Sequence, residues 1–326
     1  MRKKQKLINL LNPILAHLGV RLEFASKYRT SMPVPLDGSV DLSSLQASLT
    51  PRIELAVLGS LDDHFSVPEN LARHVRIFSL DAVSPGSDEG AVNTVVPLKD
   101  VVAAQAGPAR FVQRVVTGVS STLEPKKELV EAYALQNLYQ VKQEHHVQAV
   151  TLNDVARNHQ VDHWDYVRTD LEGADFSIIK SLGDALGAVS LVEMELRAEP
   201  FYEGEPHIHE VLAYMFANGF EVLDLKPERW RANTPNVVYE TRGRVTFCNT
   251  VFINRNKEAA PPAELLRHAL VVGLLGYANV AERLVMPLQQ SHAPAVHALQ
   301  KLFYQKATKR YLPVESMPQV THGTSY

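Results

Sequence analysis

The chain has 326 residues, is 45% hydrophobic and 21% charged, and carries a formal net charge of -3 at neutral pH. That is ample apolar content for a substantial core, and the slightly acidic balance gives no electrostatic reason to look for a nucleic-acid partner. A single cysteine, Cys248, excludes an internal disulfide framework and fits a reducing, cytoplasmic setting.

Arg2, Lys3, Lys4 and Lys6 precede an apolar run over 7–20 that Asn9, Asn12, Pro13 and His17 interrupt. No clean small-residue cleavage site follows, so a surface helix packed on the body is expected over 1–22 rather than a secretion signal. The same pattern is compatible with a weak membrane-surface contact. Nothing approaches the ~20 apolar residues of a membrane-spanning helix. Residues 25–50, with scattered Ser, Pro and Gly, read as an irregular connector with room for one short helix, so the chain divides into 1–50, a central α/β domain over 51–256, and a helical extension over 257–326.

Two compact apolar runs open the central domain: 53–58 ends at Gly59 and 75–80 ends at Asp81. They fit the first two strands of a nucleotide-binding half. A cofactor lying across such strand ends needs a glycine for close backbone approach and an acid for ribose hydroxyls, and Gly59 and Asp81 can fill those roles. Asp62 and Asp63 read as solvated turn acids. A polar loop over 84–90, a strand over 92–98 and a short helix over 99–106 follow, the helix stopped by Gly107-Pro108. A second strand is expected over 111–119, then a serine-rich loop, Ser120-Ser121-Thr122. Residues 147–151 form a short strand, and Thr151 is a natural N-cap for a helix opening at Leu152. His145 and His146 are adjacent and cannot share a face, and His207 and His209 should diverge at a helix start, so neither pair is expected to hold a metal.

The stretch 165–180 reads as strand, acidic turn and helix. Asp170 and Glu172 fall at the carboxyl end of the strand, where open α/β sheets bind ligands, although acids there also simply cap helices. A buried strand over 189–196 carries Glu193 and Glu195 on one side, and carboxylates on an apolar strand are costly unless paired or wet. A helix over 207–218 ends at Gly219. Strands over 220–225 and 245–253 flank a polar loop, 227–242, with Trp230 and several arginines, a candidate acceptor surface. Helices over 263–275, 279–288 and 293–306 close the chain. The stripe Leu265, Leu266, Ala269, Leu270 and Gly273 should cover the sheet or pair with a second subunit in a homo-oligomer.

The run Arg168-Thr169-Asp170-Leu171-Glu172-Gly173-Ala174-Asp175, the strand ending Val192-Glu193-Met194-Glu195, the loop Tyr202-Glu203-Gly204 and the re-entry Gly219-Phe220 occur in an order that resembles the FkbM-type family of S-adenosylmethionine-dependent methyltransferases. The resemblance covers roughly 51–255. It implies a Rossmann-like class I methyltransferase sheet, mostly parallel with an antiparallel edge, and S-adenosyl-L-methionine as cofactor. It also implies O-methylation of a hydroxyl on a sugar, glycan or natural product. Carried onto this chain, it puts Gly59, Ser60, Asp81, Ser121 and Asp170 at the cofactor. Asp170 becomes the first candidate base, ahead of Glu172, Glu193, Glu195 and His207. The family's first motif resembles D-V-G-A-N-x-G, whereas this chain has Ala56-Val57-Leu58-Gly59-Ser60-Leu61-Asp62-Asp63, with one glycine kept and the strand-end acid missing. The alternative is therefore a methyltransferase-like binding or scaffolding module that has lost catalysis. A nicotinamide-dependent oxidoreductase is disfavoured, because the G-x-G-x-x-G fingerprint is absent.

Overall fold

The computed structural model describes residues 39–59, 67, 69–81, 95–230 and 243–303. The expected N-terminal helix, Ser60, Asp62, Asp63, the loop 84–90 and residues 231–242 lie outside them. In chain order the regular elements begin with β1 (Ile53–Leu58), α1 (Glu69–Ala72), β2 (Val75–Leu80), β3 (Val95–Leu98) and β4 (Gly107–Arg114). Then come α2 (Lys127–Ala132), β5 (Val141–Ala149), α3 (Leu152–Asn158), β6 (Tyr166–Thr169), α4 (Asp175–Ser181) and β7 (Leu191–Arg197). The last are α5 (Ile208–Ala217), β8 (Phe220–Trp230), β9 (Arg244–Asn254), α6 (Pro262–Leu274), α7 (Ala278–Val285) and α8 (Ala293–Phe303).

Seven of these strands form one sheet in the order β3-β2-β1-β6-β7-β9-β8. Pairing is parallel from β3 through β7, and β9 runs antiparallel to both β7 and β8. The antiparallel strand therefore sits one place in from the edge. Beyond Glu54, strand β1 is apolar and buried on both sides, as expected where helices cover both faces of a parallel sheet. One face carries Leu55, Val57, Ile77, Tyr166 and Leu191 against α6, α7 and α8. The other carries Ala56, Leu58, Val167 and Val192 against α3, α4 and α5. The stripe on α6 thus faces the sheet core, and a Cβ at Gly273 would collide with the Phe303 ring of α8.

Several boundaries differ from expectation. Residues 99–106 contain no helix: Val102 bridges to Val150 in parallel and Ala103 N donates to Val150 O at 2.9 Å, so this β-branched stretch extends as strand-like chain. Gly107 and Pro108 open β4 rather than stop a helix, and β4 ends at Arg114, short of the expected 119. It pairs with β5, which starts at Val141, well before the expected 147, in a separate two-stranded ribbon. Edge strand β8 runs on to Trp230, absorbing the first residues of the expected loop 227–242 through two register shifts against β9. Thr151 does cap α3: its Oγ1 accepts from Asp154 N at 3.0 Å, and Asp154 answers by accepting from Thr151 N at 2.9 Å.

His268, in the middle of α6, is fully buried, and among the described residues neither ring nitrogen has a hydrogen-bond partner. Burial, reinforced by the Lys257 charge, brings its pKa down to about 4. The folded state therefore stays neutral where the unfolded chain, titrating near 6.5, already takes up a proton. That destabilises the fold progressively as pH falls from about 6.5 to about 4, by up to ~3 kcal/mol. His268→Leu is expected to remove this part of the acid sensitivity. Melting temperatures measured from pH 7 to pH 5 check it, and parallel slopes for the variant and the natural chain would contradict it.

Candidate active site

The site begins with register. Leu58 of β1 lies opposite Leu80 of β2 and Thr169 of β6, so the next residues of all three strands leave the sheet together. Pairing continues one step beyond the strands: Gly59 N donates to Leu80 O at 2.9 Å, Asp81 N to Leu98 O at 3.3 Å, and Asp170 N to Leu58 O at 3.0 Å. Gly59 has φ +94, and a Cβ there would run into the Asp170 carbonyl. Glycine is what allows the two chains to leave the sheet side by side.

After Asp170 the chain reverses sharply, with Glu172 at φ +54 and Gly173 at φ +95. Two consecutive left-handed residues, one of them not glycine, are rare and need support from their surroundings. Asp175 supplies part of it, accepting from Leu171 N at 3.2 Å and Gly173 N at 3.3 Å. Ser121 supplies more, donating to Glu172 O at 2.8 Å. Gly173 also seats the Tyr202 ring, which a Cβ would meet at 2.7 Å. Gly173→Ala is therefore expected to lower stability by about 1–3 kcal/mol; a urea midpoint equal to that of the natural chain would contradict this packing.

These strand ends form the floor of a cleft of about 210 Å³. Gly59, Asp81, Ser121 and Asp170 all line it, together with Asp100 and an apolar wall that includes Leu80, Val101, Val102 and Phe111. No Lys or Arg is among its described lining residues. Asp170 keeps 41% of its side chain exposed and has Arg168 Nη2 3.5 Å from Oδ2. Ser121 is buried, and its hydroxyl is committed to the backbone of the 170–173 turn, so it shapes the wall of the cleft.

Three expected carboxylates, Glu172, Glu193 and Glu195, are not among the cleft's described lining. Glu193 accepts from Tyr166 Oη at 2.7 Å, and its other oxygen is 3.9 Å from Arg168 Nε; it connects to Asp170 through that arginine. Glu172 turns away, its Oε2 accepting from Arg197 Nη2 at 2.8 Å and from Tyr202 Oη at 2.6 Å. Burial, opposed by the Arg197 charge, pushes its pKa up to about 7. Glu195 pairs with the same arginine. His207 is exposed at the start of α5, away from the cleft, and its ring lies 5.5 Å from that of His209, centroid to centroid, so the two do not diverge. No group of three or more metal-ligating side chains occurs among the described residues. Asp100 and Arg197 escape sequence reasoning. The first was hidden by assigning 99–106 to a helix; the second has a visible signal, a lone arginine closing an apolar strand.

The acid-lined cleft thus lies at the carboxyl edge of a mostly parallel α/β sheet, beside its topological switch point, the place where open α/β sheets bind ligands. Residues 83–222 match the family model of the methyltransferase FkbM domain, the family whose motifs the chain resembles. The match takes in Ser121, Asp170, Glu172 and Glu193, and begins beyond Gly59 and Asp81, past the divergent first motif. No curated protein and no solved structure matches the chain significantly.

Proposed function

We propose that the protein is an S-adenosyl-L-methionine-dependent O-methyltransferase acting on a hydroxyl of a sugar, glycan or natural product. The observation that carries this reading is the convergence of Gly59, Asp81 and Asp170, from three adjacent strands, on one cleft in a chain that matches the FkbM model. The strand order, with β1 and β6 central and antiparallel β9 next to the edge, supports a Rossmann-like class I sheet.

The residues present suit the cofactor chemically. Asp81, at the end of β2, can accept from vicinal ribose hydroxyls, the Val101, Val102 and Phe111 wall suits an adenine ring, and Gly59 leaves backbone accessible. The acids Asp81, Asp100 and Asp170, with no Lys or Arg among the described lining residues, favour a cationic sulfonium over the phosphates of a dinucleotide. When bound, the cofactor supplies an electrophilic methyl for in-line displacement by the acceptor oxygen. The chain's own work is to align the acceptor, keep water out and take its proton. Asp170 is the base in this reading, since its carboxylate is both exposed to the cleft and held by Arg168. Glu193 orients Arg168 from the other side.

Cytoplasmic residence and a small-molecule or glycan acceptor belong to the same proposal. Among the described residues no helix is long and apolar enough to cross a membrane. The second reading, a module that binds without turnover, draws on one observation: β1 brings no carboxylate to the cleft, its only acid, Glu54, being tied to Arg76 at the strand's other end. Incubating the protein with S-adenosylmethionine and a panel of hydroxylated acceptors, with S-adenosylhomocysteine as the readout, separates the two. Acceptor-dependent product supports the enzyme; cofactor binding without product from any acceptor supports the module.

A further inference from the structure

Beside the 170–173 turn lies an ionic cluster whose residues are not among the described lining of the cleft. Arg197, at the end of β7, is 4% exposed. It faces three carboxylates from three parts of the chain: Glu172 of the turn at 2.8 Å, Glu195 of its own strand, and Glu205 of the loop before α5 at 3.4 Å. Its guanidinium also stacks 5.3 Å from the ring centroids of Tyr202 and Phe247. Glu205 in turn accepts from the backbone N–H groups of Phe201 at 2.6 Å and Tyr202 at 3.0 Å, fixing the loop that carries Tyr202. Tyr202 then donates to Glu172 and packs on Gly173.

Three acids around one buried arginine are an expensive arrangement, and every contact leads to the same place. Glu172, at φ +54, has its side chain gripped by Arg197 and Tyr202, which adds to the backbone support that Asp175 and Ser121 give the turn. Asp170 is two residues away, on the same reversal. We propose that Arg197 is the positioning residue for Asp170, setting the turn's geometry through Glu172 and governing turnover without contact with cofactor or acceptor. This rests on the reading of Asp170 as the base.

The groups facing Glu172 are Arg197 and Tyr202, with Asp170, Asp175 and Glu195 adding like charge, and Tyr139 lies beyond, its hydroxyl 3.3 Å from that of Tyr202. The grip is strongest with Glu172 ionised. As pH falls through about 7 the carboxylate takes up a proton, the charge-assisted bonds weaken, and the turnover number should fall with it.

The test compares Arg197→Met, Arg197→Lys, Tyr202→Phe and Glu172→Gln with the natural chain, reading steady-state kinetics, S-adenosylmethionine affinity and hydrogen exchange of the peptide spanning 170–175. Arg197→Met is expected to lower kcat about 100-fold, the scale of an ångström-level misplacement, with cofactor affinity within about threefold and faster exchange in the turn. Arg197→Lys should recover part of the loss, and Glu172→Gln should abolish the limb near pH 7. Unchanged kcat and unchanged exchange in Arg197→Met would overturn the proposal. If that variant does not fold, Tyr202→Phe and Arg197→Lys are read by the same two criteria. If the natural chain shows no methyl transfer, the functional reading fails, and exchange in the turn still decides whether Arg197 holds it.

Discussion

Asp170→Asn is expected to reduce methyl transfer about 10²–10⁴-fold, the usual contribution of a positioned general base, with cofactor affinity and melting temperature near those of the natural chain. Asparagine keeps the shape and the backbone bond from Asp170 N to Leu58 O but cannot take a proton from an acceptor hydroxyl. The side chain's only described ion pair is the 3.5 Å contact with Arg168, partly exposed and therefore of small value to stability. Rate and stability should separate cleanly. Kinetics with a responsive acceptor, alongside calorimetric melting, make the comparison; a variant retaining a tenth or more of the rate would remove Asp170 from the base role and turn attention to Glu193.

The largest expected effect on stability lies at the opposite end of the sheet. Asp165, immediately before β6, is 1% exposed and receives Arg267 of α6 in a two-pronged contact, Nε to Oδ1 and Nη2 to Oδ2, both at 2.6 Å. Glu54 N adds a third bond at 2.8 Å, and Ser190 N donates to the Asp165 carbonyl at 2.9 Å. Burial alone would raise the Asp165 carboxyl, but its bonds from His163 and Arg267 and the guanidinium charge outweigh it and hold it below the usual carboxylate range. Arg267→Met would leave that buried carboxylate without its compensating guanidinium, held only by Glu54 N and His163, and the expected loss is about 3–5 kcal/mol. Chemical denaturation measures it. A loss under 1 kcal/mol would mean that water or a rearranged neighbour compensates, contrary to the packing described.

How much of this was legible in the sequence follows from where each residue sits. β1 and β2 have the boundaries expected for them, because strands covered on both faces leave compact apolar runs that end where the sheet ends, and β6 falls within the strand part of the stretch 165–180. The first residues beyond the sheet, Gly59, Asp81 and Asp170, are therefore placed at one edge by the sequence alone. The misassigned stretches are those whose structure is set by partners distant in sequence. Val101 and Val102 extend because Val150 is beside them. β8 continues to Trp230 because β9 offers it a full-length partner, despite Glu221, Asp224, Lys226 and Glu228 along it. Glu172 shows the limit most clearly. Two residues after Asp170, its side chain would share Asp170's side of a regular strand, but its left-handed backbone turns it to the opposite side, where Arg197 waits. No local pattern announces that rotation; only Gly173 beside it hints at the turn.

S-adenosylmethionine is expected to bind in the cleft between β1, β2 and β6 even though the first motif is divergent. Calorimetric titration of the purified protein with S-adenosylmethionine, repeated on Asp81→Ala, tests it most directly. A micromolar dissociation constant, about -8 kcal/mol, that weakens at least tenfold in the folded variant is the predicted result. No detectable heat with the natural chain, or equal affinity in the variant, would contradict it.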